Sequence, residues 1–209
     1  MFPFDLLRIN NDFRVVGENC VLIPMSKRDL ALVKKWFKDR DLVSYAFGTT
    51  AEDNVLDKIA HEYTRDFFSN SDEIMGIWHN DIDLIGFVNY SGNGSPSGIV
   101  RIGVVIGSED YRSRGIGTEA MNLALYYLFD YKGIKRIDLD TVSFNERALK
   151  CFQKCGFKKT GEMTQVNFLD GELIHKIEMS LDKKEFYTTI ERFGKMPHIE
   201  FSKENGSRR

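Results

Sequence analysis

The stretch from Ile99 to Tyr131 constrains the fold of this chain more than any other part of the sequence. Residues 99–106 are mostly β-branched and apolar, which is typical of a buried strand. A polar loop follows, and residues 115–131 then have the periodicity of a helix that is apolar on nearly half of its surface. A buried strand followed by a partly buried helix predicts an α/β fold.

Other parts of the chain alternate between helical and strand periodicity. Strands are expected at seven places: 20–25, 74–79, 84–90, 99–106, 134–142, 157–168 and 172–181. Helices are expected at four places: 27–37, 53–68, 115–131 and 145–155. Turn residues at 80–81 and 169–171 indicate two hairpins. This order predicts a mixed sheet with helices on both faces.

Composition and charge argue against several classes of protein. The chain has 209 residues, enough for one sizeable α/β domain, and its net charge of -2 gives no reason to expect a nucleic acid partner. The first residues lack the pattern of a signal peptide, and no apolar run approaches the ~20 residues of a membrane span. The three cysteines lack metal-ligand spacing. We therefore expect a cytoplasmic protein with reduced thiols, no metal and no membrane partner.

The loop after the buried strand contains Arg112-Ser113-Arg114-Gly115-Ile116-Gly117 directly before the predicted helix. The first turn of a helix has free N–H groups at the positive end of the helix dipole, so it attracts phosphate. Glycine at positions 115 and 117 lets a ligand approach the backbone closely. We expect the two arginines to add positive charge beside this site. The segment therefore predicts phosphate binding.

Two other interpretations of this loop are available. The first is a plain glycine-rich turn before a helix. The second is a dinucleotide fingerprint, because Gly115 to Ala120 fits G-x-G-x-x-A and Asp138 follows about 20 residues later. We reject the fingerprint because about eight residues separate it from its strand and only one strand-helix-strand unit could follow. A P-loop is excluded because G-x-x-x-x-G-K-S/T does not occur.

Several segments in the right order resemble the GCN5-related N-acetyltransferase (GNAT) superfamily. Arg112, Gly115 and Gly117 match its acetyl-CoA signature, R/Q-x-x-G-x-G/A. Other segments resemble strands, a helix and the closing hairpin of the branch that includes ribosomal-protein N-terminal, spermidine and some aminoglycoside acetyltransferases: 23–30, 133–137, 145–157 and 168–181.

The resemblance implies the fold, the cosubstrate and most of the site. It implies an α/β (α+β) GNAT fold with a mostly antiparallel sheet of about seven strands over residues 20–182. Residues 1–19 would be an extended N-terminal segment and 183–209 a C-terminal extension with a disordered end. Acetyl-CoA would be the cosubstrate of an acyltransferase. The residues implied to bind it are Val104, Val105, Ile106, Arg112, Ser113, Arg114, Gly115, Ile116, Gly117, Thr118, Asn145, Ala148 and Phe152.

Acetyl transfer to an amine needs stabilisation of the developing oxyanion and a proton for the leaving thiolate. A strand amide near Val105 could stabilise the oxyanion. Many members of the superfamily supply the proton from a tyrosine at the position of Phe152, and a phenyl ring has no proton to give. Ser143 and Cys151 are alternative donors. We expect that the thiolate, a fair leaving group, departs unaided.

The sequence does not identify the base that deprotonates the amine. The candidates are polar side chains on strands that commonly line the acceptor side, or histidines: Glu73, Asp83, Asn89, His79 and His175.

Residues 39–83 carry eleven acids against three bases. This predicts an acidic mouth for a cationic acceptor, either a polyamine, an aminoglycoside or a protein N-terminus, although a solvated acidic helix face has the same composition. The alternative function is a non-catalytic acetyl-CoA-binding regulatory module. A homodimer through the closing hairpin is a further expectation for this branch.

Overall fold

The computed structural model describes residues 13–49, 52–64, 73–79, 82–92, 98–167, 169–190 and 197–201. Their strands are β1 Phe13–Val16, β2 Cys20–Pro24, β3 Glu73–His79, β4 Asp83–Ser91, β5 Ile99–Ile106, β6 Arg136–Val142, β7 Lys158–Val166, β8 Leu173–Asp182 and β9 His198–Phe201. Within these ranges the strands form one nine-stranded sheet in the order β7-β8-β6-β5-β4-β3-β2-β1-β9. All neighbours are antiparallel except β5 and β6. The expected mixed, mostly antiparallel sheet is confirmed.

Helices cover both faces of this sheet, as expected. They are α1 Leu30–Trp36, α2 Arg40–Phe47, α3 Asp53–Lys58, α4 Ile116–Tyr126, α5 Glu146–Lys154 and α6 Lys183–Ile190. Because successive residues of a strand point to opposite faces, β4 contributes to two cores. Val88 and Tyr90 pack in the larger core with α4, α5 and α6. Phe87 packs in the second core with α1, α2 and α3. No helix in the described ranges is long and apolar enough to cross a membrane.

The sequence patterns did not predict α2, although both of its ends have recognisable caps. The Asp39 carboxylate accepts the N–H of Leu42 at 3.1 Å, and Gly48 ends the helix with a φ of 70°. Leu42 and Val43 are its only buried residues. Two buried apolar positions are too few for helical periodicity to be visible in the sequence.

Both flanks of the expected 20–182 segment contribute to the same architecture. The four residues of β1 pair with the four residues of β9, and α6 packs Phe186 into the larger core. Strands of four residues are too short for a recognisable alternation. Residues 1–12, the predicted turn at 80–81 and the predicted disordered tail lie outside the described residues.

Some predicted elements differ in extent; the helix expected over 115–131 consists of α4 and a π-helical segment, Tyr127–Tyr131. The helix expected over 53–68 consists of α3 and a π-helical turn, Ile59–Tyr63, and positions 65–70 lie outside the described residues. The strand expected from Ile134 begins at Arg136, because the N–H of Ile134 donates to Leu128 O at 3.0 Å and continues the end of the preceding helical segment.

The parallel pair of strands in the described sheet separates along its length. β5 and β6 are in register at only three pairs, from Ile99 with Arg136 to Arg101 with Asp138. Beyond Arg101, β5 stays paired with β4, and beyond Asp138, β6 stays paired with β8. The two strands therefore diverge and leave a split between them, and the loop after β5 leads directly to α4.

Candidate active site

The loop between β5 and α4 presents five consecutive amide groups. The N–H groups of residues 113–117 donate no hydrogen bond to any other described residue. Gly115 caps α4 with a φ of 86°, and a Cβ at this position would meet nothing within 4 Å, so the approach from solvent is open. The N–H groups of Thr118 and Glu119 already donate to Gly115 O. An eleven-residue helix with free amides at its N-terminus is suited to bind an anion such as phosphate.

The guanidinium of Arg112 binds the protein itself. Its Nε donates to Ile106 O at 3.0 Å, and its Nη2 donates to Gly107 O at 2.7 Å, where β5 ends. Nη2 also lies 2.7 Å from the carboxylate of Asp39 at the start of α2. Burial raises the pKa of Asp39, but the hydrogen bonds from the Leu42 amide and from Arg112 outweigh burial and hold that pKa below its usual value. Arg112 therefore ties α2 to the end of β5.

Sequence reasoning gave both arginines the same role, and the structure separates their surroundings. The charge of Arg112 is balanced by Asp39, and its Nε and Nη2 donate to strand-end carbonyls. Arg114 is exposed, and it makes no ion pair within the described ranges. Of the two side chains, that of Arg114 is the more accessible to a ligand.

The backbone of β5 offers donors to the split at alternate residues. The N–H of Gly107 donates to Ile85 O on β4 at 2.9 Å. Because the backbone groups of successive residues point to opposite sides of a strand, those of Val105 also point to β4. The backbone N–H and C=O groups of Val104 and Ile106 point into the split. The strand amide that we expected near Val105 is therefore that of Val104 or Ile106.

On α5, the side chain of Asn145 caps its own helix. Its Oδ1 accepts the N–H of Ala148 at 3.1 Å, and its Nδ2 donates to Tyr45 O of α2 at 3.2 Å. An amide has four hydrogen-bonding positions, so one N–H and one lone pair remain. Phe152 is 5% exposed and packs edge-to-face on Phe157 at a ring distance of 6.0 Å. It is part of the core.

Cys151 connects α5 to the first turn of α4. The hydroxyl of Thr118 donates to its Sγ at 3.4 Å. Hydrogen bonding with Cys155, together with that of Thr118 and the charge of Lys154, outweighs burial and lowers the pKa of Cys151 to about 7. The pKa of Cys155 is raised by the same hydrogen bond and by its complete burial. Cys151 is thus the more acidic of the two thiols. Ser143, the other expected donor, is exposed, and its N–H donates to His175 O.

The structure does not bring the candidate bases together. Glu73 accepts a hydrogen bond from Tyr90 and lies 3.4 Å from Lys132 Nζ, on the face of the larger core. The Nδ1 atoms of the two histidines lie 2.8 Å from other groups: His79 from Asn19 O and His175 from Thr164 Oγ1. These contacts are structural in character.

Asn89 and Asp83 both belong to β4. Asn89 is in register with Gly103 of β5, and its amide covers the Cα of that glycine on the face of α1, α2 and α3. Asp83 is exposed beyond the end of β5, 3.4 Å from the Tyr111 hydroxyl. Among these candidates, Asn89 is the one whose side chain lies over β5, a strand that borders the split.

Sequence reasoning did not predict one charged residue at the start of the split, Asp140. Asp140 of β6 pairs with Arg101 of β5 across the start of the split, and it lies 2.9 Å from Lys176 Nζ of β8. Its side chain is 22% exposed. Burial raises the pKa of Asp140, but the two cations outweigh burial and keep it below its usual value. The alternation of acidic and apolar residues along β6 is the signal that could have indicated it.

The acids of residues 39–83 are partly neutralised in the structure. Besides Asp39, Asp53 pairs with Arg40, and Asp57 lies 4.0 Å from Lys38 Nζ. Positions 66, 72 and 81 lie outside the described residues. Within the described ranges, no group of three or more histidine, cysteine, aspartate or glutamate side chains could hold a metal ion.

Residues 31–157 match the acetyltransferase (GNAT) family, and this range contains the split, the loop and α5. The chain belongs to this family. It is 22% identical to aminoglycoside N(6′)-acetyltransferase type 1 of Klebsiella pneumoniae over 172 residues, which cover 78% of this chain and 84% of that protein. It is 21% identical to an N-acetyltransferase 9-like protein of Nematostella vectensis, covering 86% of this chain and 91% of that protein.

Solved structures share the fold. The spermidine N-acetyltransferase of Vibrio cholerae, in a complex with CoA and spermine, has a TM-score of 0.68 and 19% identity. The likeness covers 82% of this chain and 99% of that one. The GNAT fold expected from the sequence is confirmed.

Proposed function

We propose that this protein is an acetyl-CoA-dependent N-acetyltransferase that moves the acetyl group to a primary amine by direct attack. The observation that carries the proposal is the juxtaposition of the five free amides of residues 113–117 with the unpaired edge of β5. The first group suits a pyrophosphate, and the second suits the amides of a pantetheine arm. Family membership supports the same assignment.

The chemistry of the described residues along the split suits coenzyme A. Val104 and Ile106 would hydrogen-bond the arm, and the remaining amide positions of Asn145 would bind it from the other wall of the split. Bound acetyl-CoA would supply the activated thioester. An N–H of Val104 or Ile106 is positioned on the edge where an oxyanion donor is needed.

For the leaving thiolate we propose departure without a proton from the Phe152 position. Phe152→Tyr should then leave turnover nearly unchanged or raise it, because the unaided route does not depend on the added hydroxyl. A large fall in turnover with intact cofactor affinity would overturn this proposal. Cys151 is the alternative donor, and Cys151→Ala should leave turnover unchanged if the thiolate leaves unaided.

The proposed acceptor is a cationic amine. The relatives named for aminoglycoside and spermidine acetylation support this class. On the acceptor side, the amide of Asn89 lies over Gly103 of β5, and its Oδ1 can accept a hydrogen bond from an ammonium group. We further propose a cytoplasmic setting, in which the three free cysteines stay reduced, and a homodimer through the β7–β8 hairpin.

The experiment is a screen of thiol release from acetyl-CoA with three classes of amine: polyamines, aminoglycosides and peptides with basic N-termini. Turnover with at least one class is the expected result, and Asn89→Leu should raise the KM of that amine more than the KM of acetyl-CoA. Activity only on neutral or acidic amines would overturn the acceptor class. Tight acetyl-CoA binding without thiol release from any amine would favour the non-catalytic alternative.

A further inference from the structure

Helix α2 lies across the open end of the split between β5 and β6. The residue that caps its start, Asp39, pairs with Arg112, which is bound to the end of β5. The residue that caps its end, Gly48, lies against the end of β6, where an added Cβ would meet Val142 Cγ1 at 2.7 Å. Eight helical residues span about 12 Å, so α2 reaches from one diverging strand to the other. It does so on the face of the sheet that carries Asn89, the proposed acceptor side.

Little apolar packing holds α2 in this position. Leu42 and Val43 are its buried residues, and Phe47 is half-buried. An element with few buried apolar contacts opens at a low cost in free energy, so the position of α2 depends on its polar contacts. One of them is near the middle of the helix, where Asn145 Nδ2 donates to Tyr45 O at 3.2 Å.

The C-terminal carbonyls of α2 are bound by Asn167, in the turn between β7 and β8. Its Nδ2 donates to Phe47 O at 3.0 Å and to Gly48 O at 3.1 Å, and its Oδ1 accepts the N–H of Leu169 at 3.0 Å. The last carbonyls of a helix have no partner within the helix, so an amide that binds them from a distant segment acts as a cap. Asn167 is 2% exposed, so water has little access to these bonds.

A second contact joins the same two segments. The hydroxyl of Thr49, which is also buried, donates to the carboxylate of Asp170. The backbone of the turn is itself closed, because the N–H of Asn167 donates to Glu172 O at 2.7 Å and that of Gly171 donates to Asn167 O at 2.8 Å. A closed turn is a firm support for the side chains that hold α2.

We propose that Asn167 is a positioning residue for the acceptor side of the site. By binding the end of α2 it fixes this helix across the split, and α2 in turn restricts how an amine can approach the thioester. Asn167 acts through α2 and does not itself contact the substrate. This inference rests on the proposed function.

The test combines hydrogen exchange with steady-state kinetics of the full chain. Asn167→Ala should raise the exchange rates of amides 44–48 by about tenfold or more, because two hydrogen bonds at that end of α2 are lost. A misplacement of about 1 Å can cost about 10²-fold in rate, so kcat/KM for the most active amine should fall by about tenfold or more. The KM of acetyl-CoA should change by less than about twofold, because Arg112 still holds the other end of α2.

Two further variants accompany Asn167→Ala. Thr49→Val removes only the hydroxyl that donates to Asp170, so it should change the same quantities in the same direction, and it serves if Asn167→Ala fails to fold. Thr164→Val is the matched control, because Thr164 lies on the same hairpin and its Oγ1 is 2.8 Å from His175 Nδ1, within that hairpin. It should change neither the exchange of α2 nor the kinetics.

Unchanged exchange of α2 in both Asn167→Ala and Thr49→Val would overturn the inference and leave the proposed function intact. So would faster exchange with unchanged amine kinetics, or equal losses for the amine and for acetyl-CoA. Failure of the wild-type protein to release thiol with every amine would overturn the proposed function and this inference together.

Discussion

Arg112 and Arg114 lie two residues apart in one loop, yet their side chains have different surroundings. Arg112 is 14% exposed and donates to two carbonyls and a carboxylate, whereas Arg114 is exposed to solvent. The family signature includes the position of Arg112 and not that of Arg114. In this chain the side chain at the signature position stabilises the loop that presents the amides.

At this scale, Arg112→Ala should lower the free energy of unfolding by about 2–4 kcal/mol, because it leaves Asp39 and two carbonyls without their donor. Arg114→Ala is the control and should change it by less than about 0.5 kcal/mol. Urea unfolding measures both. Comparable losses in the free energy of unfolding of the two variants would contradict the stabilising role of Arg112.

The ion pair between Arg112 and Asp39 predicts that the stability of the protein depends on pH. The pKa of Asp39 is lower in the folded protein, so its contribution is present above the unfolded pKa and is lost as the pH falls through the folded pKa. The difference in stability between wild type and Arg112→Ala should therefore shrink in acid. A difference that is constant from neutral to acid pH would indicate that the carboxylate is not involved.

At the scale of elements, the C-terminal segment is part of the folded unit. Phe186 of α6 is fully buried and contacts the Phe129 ring at 5.4 Å, and Lys183 Nζ donates to Phe129 O at 2.7 Å. Further along, β9 completes the edge of the sheet beside β1. The boundary at residue 182, predicted from the extent of the family resemblance, would thus separate elements that share one core.

We expect Phe186→Ala to lower the free energy of unfolding by about 3–5 kcal/mol, because it creates a cavity between α6 and the larger core. Tyr187→Phe is the matched control, since it removes only an exposed hydroxyl that donates to Asp130 at 2.8 Å, and it should cost less than about 1 kcal/mol. Thermal and urea unfolding measure both variants. If Phe186→Ala were as stable as wild type, residues 183–190 would be a dispensable extension.

At the scale of the whole molecule, ligand binding should be linked to global stability. The proposed site draws on β5, α4 and α5, so a bound ligand holds together elements that are separate in the sequence. Acetyl-CoA at about 100 times its Kd should stabilise the protein by about 2.7 kcal/mol, a rise in Tm of about 5–10 °C for a chain of this size. NAD at the same concentration should produce no rise. A larger shift with NAD would favour the rejected dinucleotide interpretation.

Most of the fold could be predicted because its central elements have strong local patterns. The β-branched run of β5 and the apolar face of α4 are visible without any neighbour, and the order of motifs indicates the family. β1, β9 and α2 were missed because each is short and is stabilised by distant partners, as α2 is by Arg112 through Asp39. Asp140 was missed because its importance depends on Arg101 and Lys176, which come from other strands.

The amino-acid sequence by itself determined the elements and the glycine loop that begins α4, because helix and strand periodicity, capping and backbone freedom are local properties. Only the tertiary structure decided which groups are available to a ligand. Hydrogen bonds and burial between distant segments occupy the Nε and Nη2 of Arg112 and leave Arg114 exposed. The pairing of β5 with β4 also directs the N–H groups of Val104 and Ile106 into the split. Availability depends on what surrounds a group, and no single segment contains that information.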